Sequence, residues 1–586
     1  MTSSFGSMFL TDAKNNETAT QNTVHFSDPV LTIQIPYVTV QEKEATSYAA
    51  QPGNPLLPVY TKLYTFPFGT TITDISYSAS AERVLPLSKE IIPAAQPAPI
   101  SDVQIQMPGE KLVKNNEIYL SSTPYPATRL SYQIGTGLSG NDHVVLVSVQ
   151  YYPVVYSPLQ KIVTFTPDVK ITISYKPPIK PYPFSKENKL LIITPEEYVS
   201  ALQPLIVHKN QHGIPTSILT TESIAQQYPG RDLPEQIKYA IKDSLEMNST
   251  SNVILVGRVE SMPIRRSYAT LFHNYDEKLI TDLYYSDIYD AQGNFSSWDT
   301  NHNDKFGESS DRVDLFPDVY LGRLACDNLA DLTIVVDKII HYETETYGSD
   351  WYNTMIFIGG NTFRWSFGND GEENNKVIMN ILPEFTPKII WTSKMNFNRW
   401  TISTTISKGA GLLDYSGHGV EYGMMTYTPG GLRMKYYFTS YIKDLKNGYK
   451  LPVMFFDACL TAKLDYVLQD MWNNSRYKII PRILIALGAN SSERRPCYAW
   501  AFVSHEGGGA IATIGATRTA YGGLDSGAGK LSVEFFSAYN SSQYLGQMFV
   551  QMQNGYITAV HNDAFTVEEF ILLGDPTLRL GGYPPQ

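Results

Sequence analysis

Two short segments of this 586-residue chain carry side chains that could act together as a nucleophile and a base. The segment YSGHG (residues 415–419) presents His418 after an apolar run, and FFDAC (residues 455–459) presents Cys459 in the same way. A short apolar run that stops at a small or reactive residue is typical of a buried parallel strand. Catalytic groups of open α/β sheets lie at the carboxyl ends of such strands. We therefore expect a Cys/His pair at one sheet edge, with the thiolate as the attacking group.

Each of these two residues has an ordinary structural explanation when it is taken alone. A lone cysteine is most often a small buried hydrophobic residue, and a lone histidine is most often a hydrogen-bonded polar residue. Here both stand at strand ends beside small residues, which let a substrate backbone approach. The combination favours catalysis.

The elements that must position this pair change along the chain. Residues 24–176 contain β-branched, strand-like runs and almost no helical periodicity, which predicts an all-β domain. A Pro-rich linker over residues 177–189 follows. Beyond it, short apolar runs alternate with helical patterns, which predicts a parallel sheet with helices on both faces. Because the strand pattern restarts near residue 354, we expect two α/β halves, residues 190–350 and 351–586, with the Cys/His pair in the second.

The composition excludes several classes of function. The chain is 43% hydrophobic and 18% charged, as expected of a soluble protein of several domains, and its net charge of −11 argues against nucleic-acid binding. No apolar run is long enough to span a bilayer. We expect residues 1–23 to be a non-native or disordered leader, any export signal having been removed. The 40 Tyr residues are typical of an exported β-rich protein. Three cysteines do not form a disulfide framework, although one bridge between Cys326 and Cys497 stays open.

The order of His-Gly on one strand and Asp-x-Cys on a later one resembles the caspase-like clan of cysteine peptidases, and other motifs are similar to the gingipain family. These motifs are NKLLIITPEEY (188–198), TDLYY (281–285), FPDVYLGR (316–323) and LGDPTL (573–578), and PGNPLLP (52–58) is similar to the family's propeptide. The resemblance covers residues 187–583. It implies an α/β caspase-like catalytic domain of two parallel-sheet halves, preceded by an all-β propeptide domain.

The resemblance also implies roles for three residues. Cys459 would attack the peptide bond, and His418 would act as general base and then protonate the leaving amine. The backbone N–H groups of Gly419 and Cys459 would form an oxyanion hole. Family members can carry an acid before a Gly-Gly pair, but here Ile358 stands at that place. We therefore predict a dyad without a third catalytic residue, with Glu372 as the alternative.

Asp457 is the residue that we expect to determine substrate specificity. It lies two positions before Cys459 and so shares a face of the strand with it. In several caspase-like families an Asp at this place receives a basic P1 side chain, the residue before the cut bond. The alternative is an Asp that caps the next helix. We also assign Ser416 to substrate binding.

Two aromatic residues and one acid complete the expected pocket. Trp500, with Tyr498 nearby, matches a family aromatic that covers this pocket, and the alternative for it is ordinary core packing. Glu373 stands, with Asp370 and Asn374, where the gingipain family places a second acid.

A polar loop at residues 299–308, DTNHNDKFGE, predicts a structural Ca²⁺ site. Calcium takes six to eight oxygen ligands, which alternate positions of a tight loop can supply. The candidate ligands are Asp299, Asn301, Asn303, Lys305 and Glu308. The match to an EF-hand loop is partial, and the alternative is a solvated acidic turn.

The sequence as a whole predicts a secreted or cell-surface cysteine endopeptidase, here as a zymogen, that cuts proteins and peptides after Arg or Lys. Its own propeptide would cover the cleft as an intramolecular inhibitor. The rival interpretation is a catalytically inactive, peptidase-like surface or adhesion protein. The presence of both Cys459 and His418 argues against that rival.

Overall fold

The computed structural model describes residues 17–49, 51–95, 112–179, 188–271, 275–276, 279–363, 368–470, 490–523 and 526–585. Strands dominate the amino-terminal region. They are β1 (Thr18–His25), β2 (Val30–Gln34), β3 (Tyr37–Gln41), β4 (Ser47–Ala49), β5 (Leu57–Pro67), β6 (Thr71–Ala79), β7 (Arg83–Pro86), β8 (Leu130–Ser139), β9 (Asp142–Tyr151), β10 (Val154–Ser157), β11 (Ile162–Phe165) and β12 (Asp168–Lys176), with the short helix α1 (Asn116–Tyr119) between β7 and β8.

These strands form small antiparallel sheets, in the orders β4-β5-β9-β8, β1-β12-β6 and β10-β11-β7, and the hairpin β2-β3. Successive side chains of a strand point to opposite faces, so Val169, Ile171 and Ile173 of β12 all enter one buried core. Strand β1 begins at Thr18 and pairs with β12 over its whole length. Residues 18–23 therefore belong to this domain, which corrects the expectation that residues 1–23 lie outside it. Residues 1–16 and most of the predicted linker are outside the described residues.

The second region alternates strands with helices. Its strands are β13 (Leu190–Thr194), β14 (Thr216–Thr220), β15 (Asn252–Val256), β16 (Arg265–Ser267), β17 (Thr270–Leu271), β18 (Tyr275–Asp276), β19 (Leu279–Thr281), β20 (Tyr320–Leu324), β21 (Thr354–Gly359), β22 (Thr386–Trp391), β23 (Leu412–Ser416), β24 (His418–Val420), β25 (Gly423–Tyr427), β26 (Met434–Phe438), β27 (Val453–Asp457), β28 (Ala512–Ala516) and β29 (Phe570–Leu573).

Its helices are α2 (Val199–Gln211), α3 (Thr221–Gln227), α4 (Leu233–Asn248), α5 (Leu283–Ser286), α6 (Leu329–Glu345), α7 (Asp370–Ile381), α8 (Arg399–Ile406), α9 (Thr439–Ile442), α10 (Tyr498–Val503), α11 (Gly527–Ser537), α12 (Leu545–Ala559) and α13 (Ala564–Glu569). Short 3₁₀ turns occur at Glu196–Tyr198, Ser309–Asp311, Asp350–Asn353, Pro429–Gly431 and Tyr539–Ser541.

One ten-stranded sheet runs through this region, in the order β14-β13-β15-β20-β29-β28-β27-β23-β21-β22. All neighbouring pairs are parallel except β28 with β29. The predicted mixed α/β region with a largely parallel sheet, preceded by a β-rich region, is confirmed. The two predicted halves are joined edge to edge, because β29 lies between β20 of the first half and β28 of the second.

The amino-terminal domain packs directly onto the α/β region. Phe68, Val144 and Leu146 belong to the same buried apolar cluster as the strands of the large sheet. The side-chain amide of Gln150 donates to two carbonyl oxygens of α12, at 3.3 and 3.2 Å, and the backbone N–H of Thr136 donates to Asp314 at 3.1 Å. The two regions therefore meet in a shared apolar contact, beside the amino-terminal domain's own core.

Two motifs that resemble the gingipain family meet in a buried ion pair. The Arg323 guanidinium donates to both carboxylate oxygens of Asp282, at 2.8 and 2.7 Å, and also to the carbonyl oxygen of Met262 at 2.9 Å. Both side chains are almost completely buried. Such a two-bond pair gives the strong, planar recognition that Arg provides. It ties β20 to the segment that follows β19.

Replacing Arg323 with Met should lower the free energy of unfolding by about 3–5 kcal/mol, because Asp282 would stay buried without its partner. The matched control is Arg399→Met, since the Arg399–Asp444 pair is half exposed and such pairs contribute about 1 kcal/mol or less. Urea unfolding, monitored by circular dichroism, measures the free energy of unfolding of both variants. Equal losses in the two variants would show that the buried pair has no special role.

All three cysteines are free thiols, so the bridge left open between Cys326 and Cys497 does not form. Among the described helices, none has the length and apolar character required to cross a bilayer.

Candidate active site

The two predicted catalytic segments follow adjacent parallel strands of the large sheet. Strands β23 and β27 pair in a register that sets Ser416 opposite Asp457. One residue further on, the N–H of Gly417 donates to the carbonyl oxygen of Asp457 at 3.1 Å. The structure thus brings the segments that carry His418 and Cys459 to one edge of the sheet.

Cys459 lies in a tight turn at the end of β27. The N–H of Ala458 donates back to the carbonyl oxygen of Phe456 at 2.8 Å. Leu460 has φ of 58°, a left-handed conformation that is rare for a residue of this kind and is typical of functional turns. The thiol of Cys459 is fully buried. It donates to the carbonyl oxygen of Ala520 at 3.2 Å and accepts from the N–H of Ala520 at 3.1 Å.

Gly419 lies directly against the nucleophile segment. A Cβ placed on Gly419 would be 2.3 Å from the carbonyl oxygen of Cys459 and 2.9 Å from the Cβ of Ala458. Any other residue here would push the two segments apart, so the approach requires glycine.

The imidazole of His418 is oriented by a backbone carbonyl. Its Nε2 lies 2.5 Å from the carbonyl oxygen of Thr362 and must carry the proton in that contact. The other nitrogen, Nδ1, is buried and has no hydrogen-bond partner among the described residues, so it is the nitrogen that can accept a proton. The N–H of Thr362 donates in turn to the Asp370 carboxylate at 3.1 Å.

This arrangement brings together the two candidate catalytic side chains and a backbone carbonyl. Ile358 is buried in β21. The alternative third residue, Glu372, is buried and accepts hydrogen bonds from the N–H and hydroxyl of Ser393, at 2.9 and 2.6 Å. Glu372 therefore holds the segment after β22, and the nearest carboxylate to the histidine network is Asp370.

A small, open pocket lies beside these segments. Its lining residues are Thr362, Phe363, Asp370, Asn374, Ser416, Gly417, Asp457, Gly522, Gly523 and Gly529. Four glycines in this set leave the walls without side chains.

Two carboxyl groups, Asp457 and Asp370, line this pocket, and the buried Asp414 lies close enough to repel Asp457. Burial raises the pKa of Asp457 to about 7, and the nearby Asp370 adds to the effect. Burial likewise raises the pKa of Asp370. Burial, and then the charge of Asp457, raises the pKa of Asp414 well above its ordinary value. No Lys or Arg of the described chain forms an ion pair with these three carboxyls. A positively charged ligand would offset their repulsion.

Comparison with known proteins places this site in a family. The model of peptidase family C25 matches residues 185–581. The chain belongs to peptidase family C25. Gingipain R2 of Porphyromonas gingivalis (strain ATCC BAA-308 / W83) is 25% identical over 287 residues, which are 48% of this chain and 33% of that relative. Lys-gingipain W83 of the same species is 21% identical over 288 residues, 48% of this chain and 14% of the relative.

Solved structures also resemble this chain. The crystal structure of the Arg-specific cysteine proteinase gingipain R covers 68% of this chain and 80% of its own length, with a TM-score of 0.48 and 20% identity. The match of the family model confirms the family that the sequence motifs predict. The aligned part spans about a third of the length of gingipain R2.

In this member of family C25, three of the predicted pocket residues lie elsewhere. Trp500 is buried in α10 and borders a second cavity, together with Arg258 and Arg494. The ring of Tyr498 packs against Phe456, with 5.4 Å between ring centres. Core packing, the alternative stated above, thus describes both aromatics.

Glu373 also lies outside the lining, because its half-exposed carboxylate pairs with Lys376 at 2.6 Å. Asp370 and Asn374 flank it in sequence and both line the pocket. The helical geometry of α7 explains the difference, since residues three or four apart share a face whereas adjacent ones do not.

In the present arrangement the candidate oxygen ligands of the predicted calcium loop accept hydrogen bonds from within the chain. Asp299 accepts from Arg231 at 2.5 Å and from the N–H of Asn303 at 2.9 Å. Glu308 accepts from the side-chain amides of Asn301 and Asn303, at 2.7 and 2.8 Å. These oxygens already have donors. The described residues contain no group of three or more His, Cys, Asp or Glu side chains that could hold a metal ion. The side chain of Lys305 carries the same charge as the cation.

The melting temperature separates the two interpretations of this loop. Calcium bound only to the folded state would raise the melting temperature in millimolar Ca²⁺ relative to chelator, whereas a loop held by its own hydrogen bonds would give the same value in both. The contacts of Asp299 with Arg231 favour the second result. A Ca²⁺-dependent rise that Asp299→Asn removes would instead establish the site that the sequence predicts.

The sequence patterns do not reveal the parts of the site that are formed by backbone atoms. The carbonyl oxygen of Thr362, which holds His418, has no side-chain signature. Gly522 and Gly523 enter the pocket through the loop after β28. Their pairing in the sequence, GG at positions 522–523, was the available signal.

Proposed function

We propose that this protein is a cysteine endopeptidase that hydrolyses peptide bonds after a basic residue, Arg or Lys. The observation that carries the proposal is the uncompensated carboxyl of Asp457, which lies at the pocket two residues before Cys459. A buried acid without a cationic partner is costly unless a ligand supplies the charge. The relative named Lys-gingipain supports the same preference.

The proposed hydrolysis uses the groups of the site one after another. His418 Nδ1 takes the proton from the Cys459 thiol, and the thiolate attacks the substrate carbonyl carbon. The N–H groups of Gly419 and Cys459 stabilise the oxyanion. The C–N bond breaks as His418 protonates the leaving amine. Water, deprotonated by His418, then hydrolyses the thioester and releases the acid product.

We further propose that the chain is a latent precursor and is exported, with its amino-terminal domain as inhibitor. The support for latency is that the Cys459 thiol is fully buried and bonded to Ala520, so the loop after β28 must move before a substrate can reach it. The described pocket lining contains no residue of the amino-terminal domain. That domain packs instead against α12 and the segment around Asp314. Direct coverage of the cleft by this domain is part of the proposal, and the tyrosine-rich composition supports export.

Maturation provides the test of this function. The wild-type protein should be cut after a basic residue in the linker, where Lys176 and Lys189 flank residues 177–188, because a protease with a basic P1 preference can cleave there. Amino-terminal sequencing of the incubated protein identifies the new ends. The Cys459→Ala protein, incubated alone, should stay at full length. Maturation of that variant would contradict self-activation, and new ends that all follow apolar or acidic residues would contradict the basic preference.

A further inference from the structure

The acceptors in the Asp457 pocket are single oxygens from different side chains. Asp457 Oδ2 already accepts the hydroxyl of Ser416 at 2.6 Å, and the amide nitrogen of Asn374 lies 3.5 Å from it. Asp457 Oδ1 is buried and has no hydrogen-bond partner among the described residues. Asp457 therefore offers a ligand one oxygen and not two.

Two further oxygens of the same pocket are also buried and have no hydrogen-bond partner among the described residues. Asp370 uses Oδ2 to accept the N–H of Thr362, and its Oδ1 is buried without a partner. Asn374 donates through its nitrogen to Ser532 at 2.9 Å, and its Oδ1 is buried without a partner. Within the described residues, the pocket thus presents three unpaired acceptors: Asp457 Oδ1, Asp370 Oδ1 and Asn374 Oδ1.

Lysine and arginine side chains need different arrangements of hydrogen-bond acceptors in such a pocket. A lysine ammonium is a compact charge with three N–H donors. An arginine guanidinium is a planar fork that binds best to both oxygens of one carboxylate. Three separate acceptors match the ammonium in number, whereas the hydroxyl of Ser416 occupies the oxygen that a guanidinium would need.

We propose that this pocket accepts lysine in preference to arginine at P1 and that Ser416 determines the choice. The inference rests on the proposed endopeptidase function and adds the identity of the P1 residue. Ser416 acts by occupying one oxygen of Asp457. The hydroxyl holds that oxygen because β23 and β27 set the two residues opposite each other.

The glycines of the pocket leave the wall beside these buried acceptors free of side chains. A Cβ on Gly529 would lie 2.6 Å from the carbonyl oxygen of Gly523 and 3.5 Å from Asn374 Oδ1. A side chain at this position would therefore crowd the wall that faces the amide oxygen. Glycine leaves room for a ligand that ends in an ammonium group.

The test uses the protein after the full chain has been incubated to maturation, and three peptidyl acyloxymethyl ketones that differ only at P1, which is Lys, Arg or norleucine. The second-order rate of Cys459 labelling is followed by mass spectrometry. We expect the Lys probe to react about tenfold faster than the Arg probe, the order of effect of one unsatisfied charged hydrogen bond. Ser416→Ala frees Asp457 Oδ2 and should lower the Lys-to-Arg ratio several-fold, mainly through faster labelling by the Arg probe.

Ser403→Ala is the matched control, since the Ser403 hydroxyl is also buried but bonds to Tyr437 at 3.0 Å. Its Lys-to-Arg ratio should equal that of the wild type. Faster labelling of the wild type by the Arg probe would overturn the lysine preference, and an unchanged ratio in Ser416→Ala would overturn the role of Ser416. Fastest labelling by the norleucine probe would refute the basic preference itself and with it the proposed function.

Discussion

Replacing Cys459 with Ala should abolish peptide hydrolysis, with a loss of at least about 10⁴-fold in kcat. The thiol is the group that we propose forms the covalent intermediate. It lies in a strained turn at the end of β27, beside the segment that carries His418. His418→Ala should cause a loss of the same order, because Nδ1 is the nitrogen left free to take the proton. The double variant should be no worse than either single one, since the two groups act as a unit.

The control for this experiment is Cys497→Ala. Cys497 is also a buried free thiol, and it precedes α10 outside the pocket lining. Burial raises the pKa of Cys497 to about 12, so it is not a reactive thiolate. Hydrolysis of a fluorogenic peptide and circular dichroism should be measured for all variants. Turnover by folded Cys459→Ala protein above a thousandth of the wild-type rate would exclude Cys459 as the nucleophile.

Replacing Asp457 with Asn should reduce kcat/KM for substrates with a basic P1 residue by about 10²–10⁴-fold. A desolvated charge that loses its partner costs about 3–5 kcal/mol, which corresponds to that factor. Labelling of Cys459 by a small uncharged thiol reagent should change little, because such a reagent does not enter the pocket. Asp444→Asn, at the surface, is the control. Equal losses for basic P1 substrates and for the small reagent would show that Asp457 only maintains the fold.

The same carboxyl predicts a pH dependence with a definite sign. Burial raises the pKa of Asp457 to about 7 in the free protein. Above that pH the carboxyl is charged and attracts a basic side chain, and below it the neutral acid does not. The value of kcat/KM for a P1 lysine substrate should therefore fall as the pH drops below 7. In Asp457→Asn this acidic limb should disappear, whereas a limb that persists would belong to another group.

Some features of this site follow from the sequence and others depend on tertiary contacts. Apolar runs that stop at Ser416 and Asp457 sufficed to predict two parallel strands with reactive residues at their ends, because that pattern follows from burial on both faces. The segment that orients His418 could not be found in this way. Its decisive atom is the carbonyl oxygen of Thr362, and every residue has such an atom.

Side-chain contacts across long sequence separations explain the remaining differences. The acidic loop at residues 299–308 has the alternation of a calcium loop, but Arg231, 68 residues before Asp299, occupies its first carboxylate. Trp500 follows a family pattern in sequence, yet α10 turns its ring toward Arg258 and Arg494. Periodicity predicts which elements form, whereas the partner of a given side chain depends on how those elements pack.

Strand β29 has a consequence for how the protein is made. It lies between β20 and β28, so residues 570–573 join the two halves of the large sheet. During synthesis the amino-terminal domain can fold first, as early domains do. The sheet that supports Ser416 and Asp457 has to wait until residue 573 has left the ribosome. A nascent chain that has not yet emerged as far as residue 573 should therefore lack an assembled active site, which would protect other nascent proteins in the producing cell from cleavage during that stage.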